Sequence, residues 1–407
     1  ECGPSALLRY EDVVSPSLNS PPQPRLRAAG RSTSTAVIRH GTRFPTVKNV
    51  KRMRRLSELV YSSGRSGTRT TWTVTIKYFT WTTWTLVEKG REDLMNLAVR
   101  LAASFPALLS EAELRSGRIG VKTSSKHRCV SSAQAFQDGL RRGQGRSQDE
   151  EYIHEVDDSL MRSFERCRGY VEGVETNASA TAEVDRFKHG PEFRAVRDRL
   201  SERLGLTRIC SHLVEAAFFI CSYELAIKSD AQVKLKLLFV YIQVLEYKCD
   251  LKQFWKRAHG HSINGLSSCP LFHHIFRTLD RAGPTDAPPE PASILIGHAE
   301  TLLPLISLLG LYKDKTPPTA VTTNHTRLFR SSSIVPYASN LLFVLYDCPR
   351  GPRLQLLMNE SPVRFPGLSQ DLPLYRDVRA TYRHLLDGCD FYTECEGRPS
   401  RAPNTEL

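Results

Sequence analysis

Arg39, His40 and Arg43 stand within one short string, RHGTRFPT, directly after the apolar run TAVI. Three cationic groups so close repel one another when all are protonated, so the cluster makes sense around an anion. Arginine forks match phosphate oxygens two at a time and keep their charge at any relevant pH. Between them the pKa of His40 is pulled down, which leaves a ring nitrogen free as a nucleophile. The turn at Gly41 lets backbone amides approach the anion, and a helix after the loop adds its positive N-terminal dipole.

Such a site also needs a further clamp and an acid for the leaving oxygen. The string TSSKHRC offers Arg128 as a third guanidinium, and GHAE offers His298 and Glu300. His298 is read as a donor to the phosphoryl group and Glu300 as the general acid. By bland readings Lys126 and His127 face solvent, and Cys129 is a buried thiol or a disulfide partner.

These residues sit where strands give way to helices. TAVIRHGTR reads as a buried strand and loop, and Leu86 to Leu109 as an amphipathic helix. GRIGVKT is a strand to about Thr123, followed by a Ser-rich turn and a helix through Leu140. SILIGHAETLLPLISLLGL repeats the theme of strand, histidine and helix, and SNLLFVLYDC and RLQLLMNES are two more strands. Ligands gather at the carboxyl ends of strands in a mainly parallel sheet, so three such motifs can converge there. The expected fold class is α/β: a large sheet domain interrupted by a smaller inserted helical domain. The segments are an extended N-terminal arm at 1–33, the first α/β part at 34–140, the helical insert at 141–285 and the second α/β part at 286–407. The Thr/Trp-rich stretch 65–86 favours a strand by propensity, where a loop is expected.

The 407 residues include 40% hydrophobic and 24% charged residues, enough for a packed core and against wholesale disorder. The net charge of +13 suits a polyanionic partner. No basic repeat, zinc-finger spacing or aromatic–basic interleaving points to nucleic acid, and no apolar run reaches the length of a membrane span. A start at Glu1 without methionine is what a processed or partial chain shows, and a removed signal peptide would leave no trace in it. The 10 cysteines, with Cys389 and Cys395 placed as a small closing disulfide loop, fit an oxidising compartment. So do the glycosylation sequons at Asn177 and Asn324 and the tail NTEL, which loosely resembles an endoplasmic-reticulum retention signal. The expected location is the endoplasmic reticulum lumen or the secreted fraction; oligomeric state stays open.

RHGTRFPT, LVEKGRED, TSSKHRCVSSAQAF, FKHGPE, DLKQFWKR, GHAETLLPL and IVPYASNLLFVLY together resemble the histidine acid phosphatase family, which includes phytases. The likeness is fullest to the subgroup that dephosphorylates multiple inositol polyphosphates, in which HAE stands where other acid phosphatases carry HD. The resemblance implies a cleft between an α/β domain and a helical insert. His40 would become the phosphohistidine, with Arg39, Arg43, Arg128 and His298 on the scissile phosphate. Glu300 would protonate the leaving group and later activate water. The implied substrates are inositol hexakisphosphate, lower inositol polyphosphates and 2,3-bisphosphoglycerate, with no metal or other cofactor. The stretch 230–243 departs from the family's pattern, which leaves the partner of Cys269 open, with Cys249 as a candidate, and 65–86 departs as well.

Two other readings stand beside this one. A phosphoglycerate-mutase-like transferase shares an Arg-His-Gly loop, but the secretory features and GHAE argue against it. A catalytically impaired polyanion-binding protein of the same fold would use the basic cleft without turnover. The presence of both His40 and Glu300 favours an enzyme.

Overall fold

The computed structural model describes residues 33–63, 85–141, 151–228, 235–282, 290–321, 323 and 326–396. The arm, most of the stretch 65–86, the Pro-rich stretch after residue 282, Asn324 and the tail NTEL lie outside these. A seven-stranded sheet organises the α/β fold, with the order β3-β2-β4-β1-β5-β6-β7. Its strands are β1 (Thr33–Arg39), β2 (Ile119–Thr123), β3 (Glu155–Val156), β4 (Ala292–Gly297), β5 (Asn340–Tyr346), β6 (Arg353–Met358) and β7 (Ser361–Val363). The sheet is mixed: β3, β2, β4 and β1 run parallel, whereas β5, β6 and β7 form an antiparallel edge.

Strand alternation sends successive side chains to opposite faces, and both faces here are covered. Val37, Leu295 and Phe343 point into one apolar cluster with helices α8 (Cys269–Arg281) and α9 (Ala299–Leu308). Ala36, Ile38, Ile294 and Leu342 point into another with α2 (Glu88–Ser104) and α3 (His127–Leu140). This double burial explains why TAVI and SILI read as unbroken apolar runs.

A separate helical core joins α1 (Val47–Ser62), α4 (Ala182–His189), α5 (Pro191–Leu204), α6 (Ser211–Lys228) and α7 (Leu235–Arg257). Val50, Met53, Leu56 and Val60 form the stripe by which α1 enters it. The helix that follows the RHG loop therefore packs on the helical body, while β1, just before the loop, belongs to the sheet. The loop lies at the seam.

The cysteine pairing differs from expectation. Neither Cys389–Cys395 nor Cys249–Cys269 forms; the bonds are Cys167–Cys395 and Cys269–Cys389, with Cα separations of 4.6 and 5.6 Å. Cys395 lies inside the short helix α10 (Phe391–Glu396) and packs with Cys167 and Tyr170, whereas Cys389 precedes that helix. Cys249 sits inside α7 and faces the helical core, whereas Cys269 begins α8. Both bonds tie the C-terminal segment to distant parts of the chain. Removing the second with Cys269→Ser and Cys389→Ser is expected to cost about 2–4 kcal/mol. Thermal unfolding with non-reducing peptide mapping checks this, and an unchanged midpoint would sink it.

Among the described residues no helix is long and apolar enough to cross a membrane. Asn177 is exposed at the start of the turn Ala178–Thr181, where its Oδ1 accepts from the backbone and hydroxyl of Ser179.

Candidate active site

The parallel register brings three strand ends level. Arg39 pairs with Gly297, and Thr123 with Ile296, so β1, β4 and β2 finish side by side. The backbone N–H of His40 donates to the Gly297 carbonyl at 3.0 Å, and that of Ser124 to Ile296 at 3.3 Å. Each strand thus hands over to a polar loop at the same edge. Sequence reasoning placed His40, Arg128 and His298 there, and the structure brings all three together.

The His40 side chain is only 3% exposed. Its Nδ1 lies 2.9 Å from the Gly41 carbonyl. A carbonyl only accepts, so Nδ1 carries the proton and Nε2 keeps its lone pair. Burial, then Arg128, Arg39, His298 and Arg43, push the pKa of His40 well below the usual imidazole value. The ring is neutral and nucleophilic even in mildly acid solution.

The loop is held by close packing. Gly41 donates its N–H to Ser132 Oγ at 3.0 Å, and Ser132 Oγ donates to the Arg128 carbonyl at 2.7 Å. A Cβ on Gly41 would fall 2.2 Å from the Gly90 carbonyl, and one on Gly90 would fall 2.2 Å from the Thr42 carbonyl. Loop and helix α2 therefore touch backbone to backbone, a requirement beyond turn geometry alone. Gly90→Ala is expected to shift the loop, lose about 1–3 kcal/mol of stability and lower kcat about tenfold or more. Steady-state kinetics beside a thermal melt checks it; full activity would contradict the packing argument.

The guanidiniums have distinct supports. Arg39 donates through Nη1 to the Val335 carbonyl and lies 4.5 Å over the ring of Tyr337. That ring also stands 5.6 Å from the His40 ring. Arg43 is buried and donates to the Phe44 carbonyl at 2.8 Å. Arg128 donates to His298 Nδ1 at 3.1 Å. Because Nδ1 accepts there, the proton of His298 sits on Nε2, which donates to Ser124 Oγ at 2.9 Å. Burial and Arg128 hold His298 at about 3, so it is neutral. Both its nitrogens are engaged within the protein.

Glu300 is the second residue of α9 and pairs with Arg257, at 3.1 Å from Nη2 to Oε1. Burial works to raise its carboxyl, but Arg257 above all, with Arg39 adding to it, outweighs that and holds it well below the usual carboxylate range. A cleft of about 700 Å³ opens beside these groups, lined by Arg128, Arg162, Tyr170, Glu175, Arg257, His298 and Glu300. Lys126 and the exposed His127 also reach this cleft, so they border the chemistry instead of facing bulk solvent only. Cys129 is a buried thiol, pushed up to about 11 by burial.

Sequence reasoning missed Arg257, Tyr337, Ser124 and Gly90, although all four lie in strings it quoted. It also missed Asp250 of α7, fully buried. Asp250 accepts from Arg327 Nε at 2.8 Å and from the backbone and hydroxyl of Ser331 at 2.8 and 2.7 Å. This network anchors the loop that carries Val335 and Tyr337, the two supports of Arg39. A second cavity of about 430 Å³ is lined by Lys48, Arg52, Lys188, Lys248, Lys252 and Lys256, with Asp185 and Glu215 opposing them. Burial opposes ionisation of Glu215, yet Lys248, Lys188 and Arg52 hold it down at about 2.

Residues 34–364 match the family model described as histidine phosphatase superfamily (branch 2). The chain is 38% identical to the multiple inositol polyphosphate phosphatase 1 of Homo sapiens, over 98% of this chain and 90% of that protein. It is 40% identical to the protein of the same name from Gallus gallus, over 89% and 83%. The multiple inositol polyphosphate phosphatase of Bifidobacterium longum, solved with inositol hexasulfate, superposes with a TM-score of 0.75 at 14% identity. That superposition covers 91% of this chain and 94% of the other. The phytase of D. castellii superposes with a TM-score of 0.74 at 16% identity, over 92% and 83%. The last two likenesses speak for the fold, and the first three findings for kinship. The chain belongs to branch 2 of the histidine phosphatase superfamily.

Proposed function

We propose that this protein is a phosphomonoesterase that removes phosphates from inositol polyphosphates, inositol hexakisphosphate among them, through a phosphohistidine at His40. The observation that carries the reading is the lone pair of His40 Nε2 among Arg39, Arg43 and Arg128, with Glu300 on the same sheet edge. The scissile phosphate sits among the three guanidiniums and His298. Nε2 attacks phosphorus, the ester P–O bond breaks, and the electron pair leaves on the inositol oxygen, which takes a proton from Glu300. The Gly41 carbonyl, accepting from Nδ1–H, stabilises the positive charge that the phosphorylated ring acquires. Water, deprotonated by the Glu300 carboxylate, then attacks phosphorus, breaks the P–N bond and frees phosphate.

The lysine-lined second cavity and the net charge of +13 suit the remaining phosphates of a polyanion. The smaller 2,3-bisphosphoglycerate fits the same chemistry. Two disulfides and the exposed Asn177 support passage through an oxidising, lumenal or secretory compartment, with carbohydrate at Asn177.

The test is phosphate release from inositol hexakisphosphate by the intact chain and by His40→Ala, between mildly acid and neutral pH. Release that depends on His40 supports the reading. A folded chain that binds the substrate and releases nothing replaces it with a polyanion-binding protein.

A further inference from the structure

The reaction above asks Glu300 to hold a proton when the ester bond breaks, yet the groups around it favour the charged carboxylate. Arg257 of α7 faces it directly at 3.1 Å. Arg39 from the end of β1 adds positive charge, and His298, at the start of its own helix, is neutral. Arg128, Arg162 and the hydroxyl of Tyr170 complete the polar lining of the cleft around it. A donor that starts ionised needs an event that lets it load.

Arg257 has the means to supply that event. Its Nη2 is 3.9 Å from Glu175 Oε2, so a second carboxylate lies within short reach. Glu175 is itself fixed by Lys256 at 2.9 Å and by the Tyr170 hydroxyl at 2.9 Å. Arg257, Glu175 and Glu300 all line the one cleft. A phosphate group, whose terminal oxygens fit the guanidinium fork as those of a sulfate ester also do, competes well for Arg257.

We propose that Arg257 is a shared cation: a substrate phosphate entering the cleft draws its guanidinium off Glu300, and Glu300 then takes up a proton from solvent. Binding thereby arms the proton donor, and an empty cleft keeps it unarmed. Loss of the cation and arrival of phosphate charge act in the same direction on the carboxyl. The purpose of this device rests on the phosphomonoesterase reading; the binding event itself does not.

The experiment is calorimetric titration with inositol hexasulfate at about pH 5.5, in two buffers of different ionisation enthalpy. Sulfate esters stay fully ionised, so any protons taken up go to the protein. The wild type is expected to take up protons on binding, and Glu300→Gln to take up fewer by about half a proton or more. Arg257→Gln should lose a similar share, because its Glu300 is already partly loaded, and should bind about tenfold more weakly. Equal uptake by wild type and Glu300→Gln overturns the proposal, as does failure of hexasulfate to bind. The comparison of those two proteins decides the matter even if Arg257→Gln folds badly. Turnover is measured separately: Glu300-dependent uptake without phosphate release sinks the enzyme reading and leaves the switch, and the reverse result does the opposite.

Discussion

His40→Ala is expected to lower phosphate release from inositol hexakisphosphate by about four orders of magnitude or more. The size follows from what is lost. Arg39, Arg43 and Arg128 would still bind phosphate, so the variant should keep substrate affinity while no atom replaces Nε2 as nucleophile. Rapid acid or base quenching should trap a phosphoenzyme on the wild type that is stable in base and labile in acid, as a phosphohistidine is. The variant should give none. Retention of more than a few per cent of the wild-type rate would move the nucleophile elsewhere. The low basicity of His40 adds a sign: its neutral form persists well below the usual imidazole range, so acid solution does not silence the nucleophile.

Glu300→Gln is expected to lower kcat on inositol polyphosphates by about 10²–10⁴-fold. Glutamine keeps the shape but brings no transferable proton. The inositol oxygen is a poor leaving group that departs as an alcohol, so the loss falls on the step that breaks the P–O bond. With p-nitrophenyl phosphate the leaving nitrophenolate is a weak base and needs no protonation. The defect in phosphoenzyme formation should therefore nearly vanish on that substrate. A burst of nitrophenolate followed by slow turnover is the expected signature, because water activation in the second step also uses the Glu300 carboxylate. Equal loss in the burst phase on both substrates would show that Glu300 does not act on the leaving group.

These outcomes depend on residues of unequal legibility. Arg39, His40 and Arg43 adjoin one another in a single string, so their shared chemistry is a local property. The strands before them are legible for the same reason: TAVI and SILI are apolar without interruption because both faces of β1 and β4 are covered. Helix α1 carries its stripe at helical spacing, and α3 ends at Leu140 as its pattern indicates, whereas α2 stops at Ser104, short of the Leu109 its apolar pattern suggests. Period and contiguity survive in one dimension.

The mixed direction of the sheet, the disulfides and the pairing of Glu300 do not. Cys389 and Cys395 look like natural partners by spacing, but Cys395 is carried in α10 to Cys167 while Cys389, ahead of that helix, meets Cys269. Tyr337 gains its role only because Asp250, on a distant helix, anchors the loop before it. Glu300 was recognisable as an acid, but not as an acid held ionised. Its state is set by Arg257, which arrives from α7 of the helical body when that body closes over the sheet edge. The sequence by itself determined which groups perform the chemistry, since nucleophile and clamps are fixed within short motifs. Only the tertiary structure decided their protonation and support, because charge coupling and packing act through distances that chain position does not encode.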